Sequence, residues 1–307
     1  MSPQIEIRPS VARNALYLGN DLRLDALLTS VLKSESWNLQ HAPGNASALQ
    51  LVETRRYDLI VACEETAGRE NVALLKKIRS LCSQTRVIIL SSKNTTTDVI
   101  AAIREHAFSY FSQPVPPDAL QRMIRLAITK TDWDDGIEAL SVSQQGIRFR
   151  VRCDFESVDR LVQFLREIDD LPDPERTQLA TASHELLYNA VEYGGELDPT
   201  NHVEIEYLRF PDRVTCRITD PGPGFRFDKI PHAAIANPAD DPTHHIQVRQ
   251  QQGMRPGGYG ILVARQLVDE LVYGRDGREV LIVKYMGSAK SRRPDSESFF
   301  GCAPAND

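Results

Sequence analysis

Residues 184–194 read HELLYNAVEYG, and the rest of this 307-residue chain is best understood outward from them. On a helix, Glu185 and Asn189 are four apart and project from one face. Leu179, Leu186 and Ala190 fall on a stripe turned away from that pair, so the core face and the polar face are separate. Upstream, Asp173 is expected to cap the helix and Pro174 to sit at its first position. Downstream, DPGPGF at 220–225 puts a carboxylate before two glycines, a pattern for a tight turn that approaches a flat ligand closely. A third glycine-rich segment, GGYG at 257–260, precedes a helix carrying Ile261, Ala264, Leu267 and Val268.

Other elements fill the intervals. A strand is expected over Arg148–Phe155, followed by a helix with Leu161, Phe164, Leu165 and Ile168 on one face. Val203, Ile205 and Tyr207 alternate with polar residues, as do Val214, Cys216 and Ile218, which predicts two half-buried antiparallel strands. Between Asp228 and Pro256 periodicity is weak, and the segment holds His244, His245, Arg249 and Arg255. A connection of that length is a functional feature or a disordered one. Asp276-Gly277 marks a hairpin turn, and the tail 288–307 is polar.

The amino-terminal half has a different grammar. From Asn14 to about Lys130, short β-rich runs such as ALYLG, DLIVAC and RVIILSS alternate with helical patterns. Five such units imply a doubly wound, five-stranded parallel sheet with helices on both faces. The polar, turn-rich segment 129–146, TKTDWDDGIEALSVSQQG, reads as a linker. The expected order is therefore an α/β domain over 1–128, the linker, an α+β domain of two layers with a mixed sheet over 147–287, and a loose tail.

A net charge of −6 gives no general case for nucleic acid or an anionic membrane as partner. The five cysteines are scattered and none forms a CxxC pair, so neither a disulfide framework nor a zinc site is indicated, and a cytoplasmic location is expected. No run approaches the roughly 20 apolar residues of a spanning helix.

Taken together in this order, HELLYNAVEYG, DPGPGF and GGYGI resemble the N box and two glycine boxes of the GHKL ATP-binding fold shared by histidine kinases, Hsp90, gyrase and MutL. The opening RFRVRCDFESVDRLVQFLREI makes the domain similar to bacterial anti-sigma-factor serine kinases. The resemblance implies ATP and Mg²⁺ as ligands. Asn189 would coordinate the metal, Glu185 would be the general base, and Asp220 would accept a hydrogen bond from the adenine amino group. Gly222 and Gly224 would pass beside the base, Gly258 and Gly260 would face the phosphates, and Tyr193 and Arg255 would stand near them. It also implies a serine or threonine on a protein partner as acceptor, with an anti-sigma-factor antagonist or a sigma factor as the partner class, and a homodimer. The alternatives are a non-catalytic adaptor that uses ATP as a conformational ligand, and a simple ATPase. His184 is expected to have a structural role or to support the site from behind its binding residues, rather than to be a phosphoacceptor, and His244 and His245 to belong to a lid.

The first domain resembles a response-regulator receiver, most clearly in RVIILSSKNTTTDVIAAIREHAFSYFSQPVPPDAL. At the positions where receivers carry two metal-binding acids, a phosphoaccepting aspartate and a lysine, this chain has Gly19 and Asn20, Cys63, and Gln113 before Pro114. Asp21 would restore one acid if the alignment moved by one residue. Ser91 and Tyr110 match the switch positions. Phosphorylation of this domain is not expected, and a protein-interaction role is.

Overall fold

The five strand and helix patterns of the first half become five βα units in the computed structural model, which describes residues 13–286 apart from 94, 130–132, 144, 169–170, 226–229, 255 and 275. The strands are β1 (Asn14–Leu18), β2 (Asn38–Ala42), β3 (Leu59–Ala67), β4 (Arg86–Lys93) and β5 (Ser109–Ser112). All four pairings are parallel and the order is β2-β1-β3-β4-β5, as expected for a doubly wound sheet. The helices are α1 (Leu22–Lys33), α2 (Asn45–Thr54), α3 (Gly68–Leu81), α4 (Thr96–Arg104) and α5 (Pro117–Thr129). Central strands are apolar on both faces, so Leu16, Ile60 and Ile89 are as buried as Tyr17, Val61 and Ile88.

The chain divides between Asp134 and Asp135 into two compact units. Residues expected to form a linker are shared between them. Trp133 is only 8% exposed and packs on Phe108 in the first unit, ring centroids 5.2 Å apart. In the second unit, Asp135 pairs with the guanidinium of Arg160, which is 1% exposed, and β6 (Ile137–Val142) pairs antiparallel with β7 (Gly146–Arg152).

After β7 come α6 (Phe155–Ile168), α7 (Asp173–Asn189), β8 (His202–Arg209), β9 (Arg213–Thr219), α8 (His244–Gln251), α9 (Gly260–Leu267), β10 (Glu270–Tyr273) and β11 (Glu279–Tyr285). The six strands run β10-β11-β9-β8-β7-β6, and every neighbouring pair is antiparallel, so the sheet is not mixed. One face carries Phe149, Ile205, Cys216 and Ile282, all buried on the side of α6 and α7. The other carries cross-strand ion pairs such as Arg150 with Glu138 and Glu204, a solvated face whose pairs contribute about 0–1 kcal/mol each.

On α6, Leu161, Phe164, Leu165 and Ile168 are buried as the spacing predicts, each contributing about 1.5–3 kcal/mol by leaving water. Helix α7 begins one residue earlier than its cap signal implies: Pro172 is the cap residue, and Asp173 lies inside the first turn, paired with Arg176. At its far end the helix widens into one π-turn over Ala190–Gly194. The weakly periodic stretch 228–256 contains α8, a helix that its few apolar residues do not announce.

Gly224 and Gly277 lock the β10–β11 hairpin onto the loop after β9. Both have positive φ, +78° and +73°, and a Cβ on Gly224 would lie 1.8 Å from the Asp276 carbonyl oxygen. Gly224→Ala is expected to lower stability by about 1–3 kcal/mol through overpacking and backbone strain, measured as a shift of the urea midpoint at unchanged slope.

Candidate functional site

Helix α7, the loop after β9, the segment of α8 and the start of α9 enclose a cavity of about 540 Å³ in the second unit, within the range of small-molecule sites. Glu185, Asn189, Tyr193, Asp220, Gly224, Gly258 and Gly260 all line it. Residues 75 apart in sequence are thus brought to one wall.

The geometry explains several of these identities. Gly260 opens α9 directly against α7: a Cβ there would lie 2.7 Å from Glu185 Oε2 and 3.5 Å from Asn189 Nδ2. Only a residue without a side chain allows the carboxylate to reach the amino-terminal end of α9, where unpaired amides favour negative charge. Gly222 does not line the cavity. It packs instead on the end of the π-turn, where its Cβ would meet Gly194 Cα at 2.7 Å. Gly194 in turn leaves room for Asp220, because a Cβ on Gly194 would sit 2.4 Å from the Asp220 carboxyl. Asp220 Oδ1 accepts from the Gly222 amide at 2.9 Å, and burial raises the carboxyl's pKa above the usual range.

At the other end of the cavity stands a cation of the weakly periodic segment to which the sequence assigns no role. Arg249 of α8 is 4% exposed. Its Nη1 donates to the His232 carbonyl at 3.3 Å and its Nη2 to Tyr193 Oη at 3.5 Å, beside Gly257 and Gly258. Burial and then the Arg249 charge lower the pKa of both His232 and His245. His245 is fully buried, takes a hydrogen bond at Nδ1 from Asn237 at 2.8 Å in its neutral form, and packs edge-on against Tyr259. His245 is thus a packing residue of α8, while its neighbour His244 is partly exposed, with Nδ1 3.5 Å from Asp241 Oδ2. Arg255 lies outside the described residues.

The donor set bears on the expected metal. Among the described residues no three His, Cys, Asp or Glu side chains cluster as an all-protein cage. One carboxamide oxygen on a cavity wall, completed by phosphate and water, suits Mg²⁺, which keeps several waters and takes few protein ligands. Asn189 fits that role.

In the first unit, at the positions where receivers carry their phosphorylation residues, the chain's own side chains contact one another. Gln113 Nε2 donates to Cys63 Sγ at 3.0 Å. A Cβ on Gly19 would lie 2.5 Å from the Cys63 carbonyl oxygen and 2.9 Å from Tyr17 Oη. Burial, with Cys63 adding to it, pushes the Tyr17 phenol well up. Asp21 is committed to capping α1, accepting from the amides of Arg23 and Leu24 at 2.8 and 3.3 Å. Ser91 and Tyr110 are both fully buried.

Comparison with known proteins agrees with both units. Residues 151–284 match the model of the histidine kinase-like ATPase domain, and residues 20–125 that of the response regulator receiver domain. The transcriptional regulatory protein ZraR of Escherichia coli O157:H7 is 26% identical over 133 residues, covering 43% of this chain and 30% of that protein. The DNA-binding response regulator MtrA of Mycobacterium leprae is 26% identical over 132 residues, covering 43% of this chain and 58% of MtrA. The chain therefore spans between about a third and three-fifths of these relatives. A response regulator structure from Thermotoga maritima aligns at 18% identity with a TM-score of 0.34, covering 39% of this chain and 100% of that one. Among the described residues, no helix is long and apolar enough to cross a membrane.

Proposed function

Because residues 20–125 are a response regulator receiver domain and residues 151–284 a histidine kinase-like ATPase domain, we propose that this signalling protein transfers the terminal phosphate of Mg·ATP to a serine or threonine hydroxyl on a partner protein. The observation that carries the reading is the placement of Glu185 and Asn189 side by side on one cavity wall, against a glycine that leaves them room.

Each residue then has a task. Asp220 selects the base by accepting from its exocyclic amine. Asn189 would hold Mg²⁺ through its carboxamide oxygen, and the metal would offset charge on the phosphates. Gly258 and Gly260 bring backbone amides to the phosphate end, and Arg249 supplies a cation there. Glu185 takes the proton of the attacking hydroxyl as its oxygen bonds to phosphorus and the bond to ADP breaks. The resemblance of residues 148–168 and of the N box to anti-sigma-factor kinases supports an antagonist protein as acceptor, a sigma factor as the regulated partner and pairing as a homodimer, in the cytoplasm. Incubating the chain with labelled ATP and candidate antagonists is expected to give a phosphoserine or phosphothreonine that Asn189→Ala abolishes. Absence of transfer to every antagonist that binds would exclude the kinase reading.

The Gln113–Cys63 contact favours a second role for the first unit, as a protein-binding module without phosphoryl chemistry. Acetyl phosphate is expected to leave the chain unlabelled in intact-mass spectra, since a thiol hydrogen-bonded to an amide replaces the carboxylate and lysine that such chemistry needs. If the whole chain is an adaptor, partner affinity will track ATP and survive Glu185→Ala.

A further inference from the structure

Two residues on α6 meet two on α7 in matched pairs. Phe155 and Asp159 lie four apart on α6, and His184 and Tyr188 four apart on α7, so each pair occupies one helical stripe. Asp159 Oδ1 accepts from Tyr188 Oη at 2.9 Å and binds His184 Nε2 at 3.0 Å. Phe155, Tyr188 and His184 form a ladder of rings, with centroids 4.5 Å apart across the first contact and 4.1 Å across the second. The imidazole is fixed on one edge by a carboxylate and on its face by a phenol ring. Its other nitrogen, Nδ1, lies 3.9 Å from Glu185 Oε1. Glu185 is therefore approached from both sides, with Oε1 toward His184 and Oε2 toward Gly260 at the start of α9.

We infer that His184, anchored by Asp159, is a positioning residue that holds the Glu185 carboxylate in the orientation needed to receive a proton. The inference rests on the reading of Glu185 as general base. It adds Asp159, a residue of α6 with no place in the nucleotide-binding motifs, to the machinery of the site.

The electrostatics agree with the geometry. Burial alone would lower the His184 pKa, but the hydrogen bonds and charges of Asp159 and Glu185 outweigh it and raise it to about 9. Among the described residues these are the charged groups acting on the ring, Asp159 from α6 and Glu185 from its own helix, with the neutral phenol of Tyr188 between the helices. A raised histidine pKa means that the attraction is present at neutral pH and is lost as pH rises through about 9. The imidazolium carries no proton to or from the reaction. It keeps one oxygen of Glu185 from turning away.

The test uses the full chain with Mg·ATP labelled in the terminal phosphate, following loss of that phosphate to water or to a bound protein in single turnover, with nucleotide affinity measured separately. Glu185→Gln comes first: if turnover is absent in the wild type or indifferent to this change, the general-base reading fails and the inference falls with it. Where turnover depends on Glu185, Asp159→Asn and His184→Gln are expected to lower its rate about tenfold with ATP affinity within about twofold. In Asp159→Asn the alkaline limb of the pH profile moves from near 9 toward the ordinary histidine value of about 6.5. An unchanged rate and an unmoved alkaline limb in Asp159→Asn would overturn the inference while leaving the base reading intact. So would a parallel loss of nucleotide affinity and thermal midpoint in both variants, since that pattern marks a purely structural latch.

Discussion

Glu185→Gln is expected to lower phosphoryl turnover by roughly 10²–10⁴-fold, the usual contribution of a positioned general base, while Mg·ATP affinity changes only a few-fold. The substitution keeps volume and reach but removes the negative charge and the ability to take a proton. The wall it belongs to is otherwise untouched, because Gly260 still leaves room for a side chain of that size and Asn189 remains one helical turn away. Rate and affinity should therefore separate, which single-turnover kinetics and calorimetry on the same protein would resolve. A variant that lost both together would place Glu185 in ligand binding instead of proton transfer.

Gly194→Ala is the second large effect, and it acts on the opposite end of the cavity. The added Cβ would lie 2.4 Å from Asp220 Cγ and 2.6 Å from its Cβ, too near the backbone for a rotation of the carboxylate to relieve. Strand β9 delivers Asp220 from a paired register, Thr219 being bonded into the ladder with both Glu204 and Glu279, so the carboxylate cannot retreat without disturbing the sheet. The expected cost is about 1–3 kcal/mol of stability, together with at least tenfold weaker adenine nucleotide binding and a reduced preference for ATP over GTP. Competition between the two nucleotides measures the selectivity directly. Unaltered selectivity in a folded Gly194→Ala protein would show that Asp220 does not read the base.

These effects show where sequence and structure part company. Periodic elements were legible: five βα units, the alternation in β8 and β9, and the apolar stripe of α6 all follow from local spacing. The N box was legible because Glu185 and Asn189 share a helical face. Strand β6 is hidden because IEALSV alternates inside a stretch dominated by Asp, Gly, Ser and Gln, and Trp133 has only polar neighbours in sequence although it packs in the first unit's core. Helix α8 escaped for a different reason. Its buried residues are His245 and Arg249, so the burial that orders it leaves no apolar pattern.

Long-range pairs account for the remaining gaps. Nothing local connects Gly194 with Asp220, or Asp159 with His184, since each pair joins separate elements. Arg249 reaches the cavity from α8, through a fold contact that no local pattern around the glycine box announces. In the first unit the loss of receiver chemistry was visible residue by residue. What the structure adds is the replacement, a Gln113–Cys63 contact with Tyr17 packed beside it.

The central claim, that the cavity of the second unit holds Mg·ATP through Asn189 and Asp220, is tested most directly by calorimetric titration of ATP into the full chain with and without Mg²⁺. The account predicts one saturable site per chain that weakens sharply on chelation, and in Asn189→Ala binding that no longer responds to Mg²⁺. Absence of ATP binding, or binding indifferent to both the metal and Asn189, would contradict it.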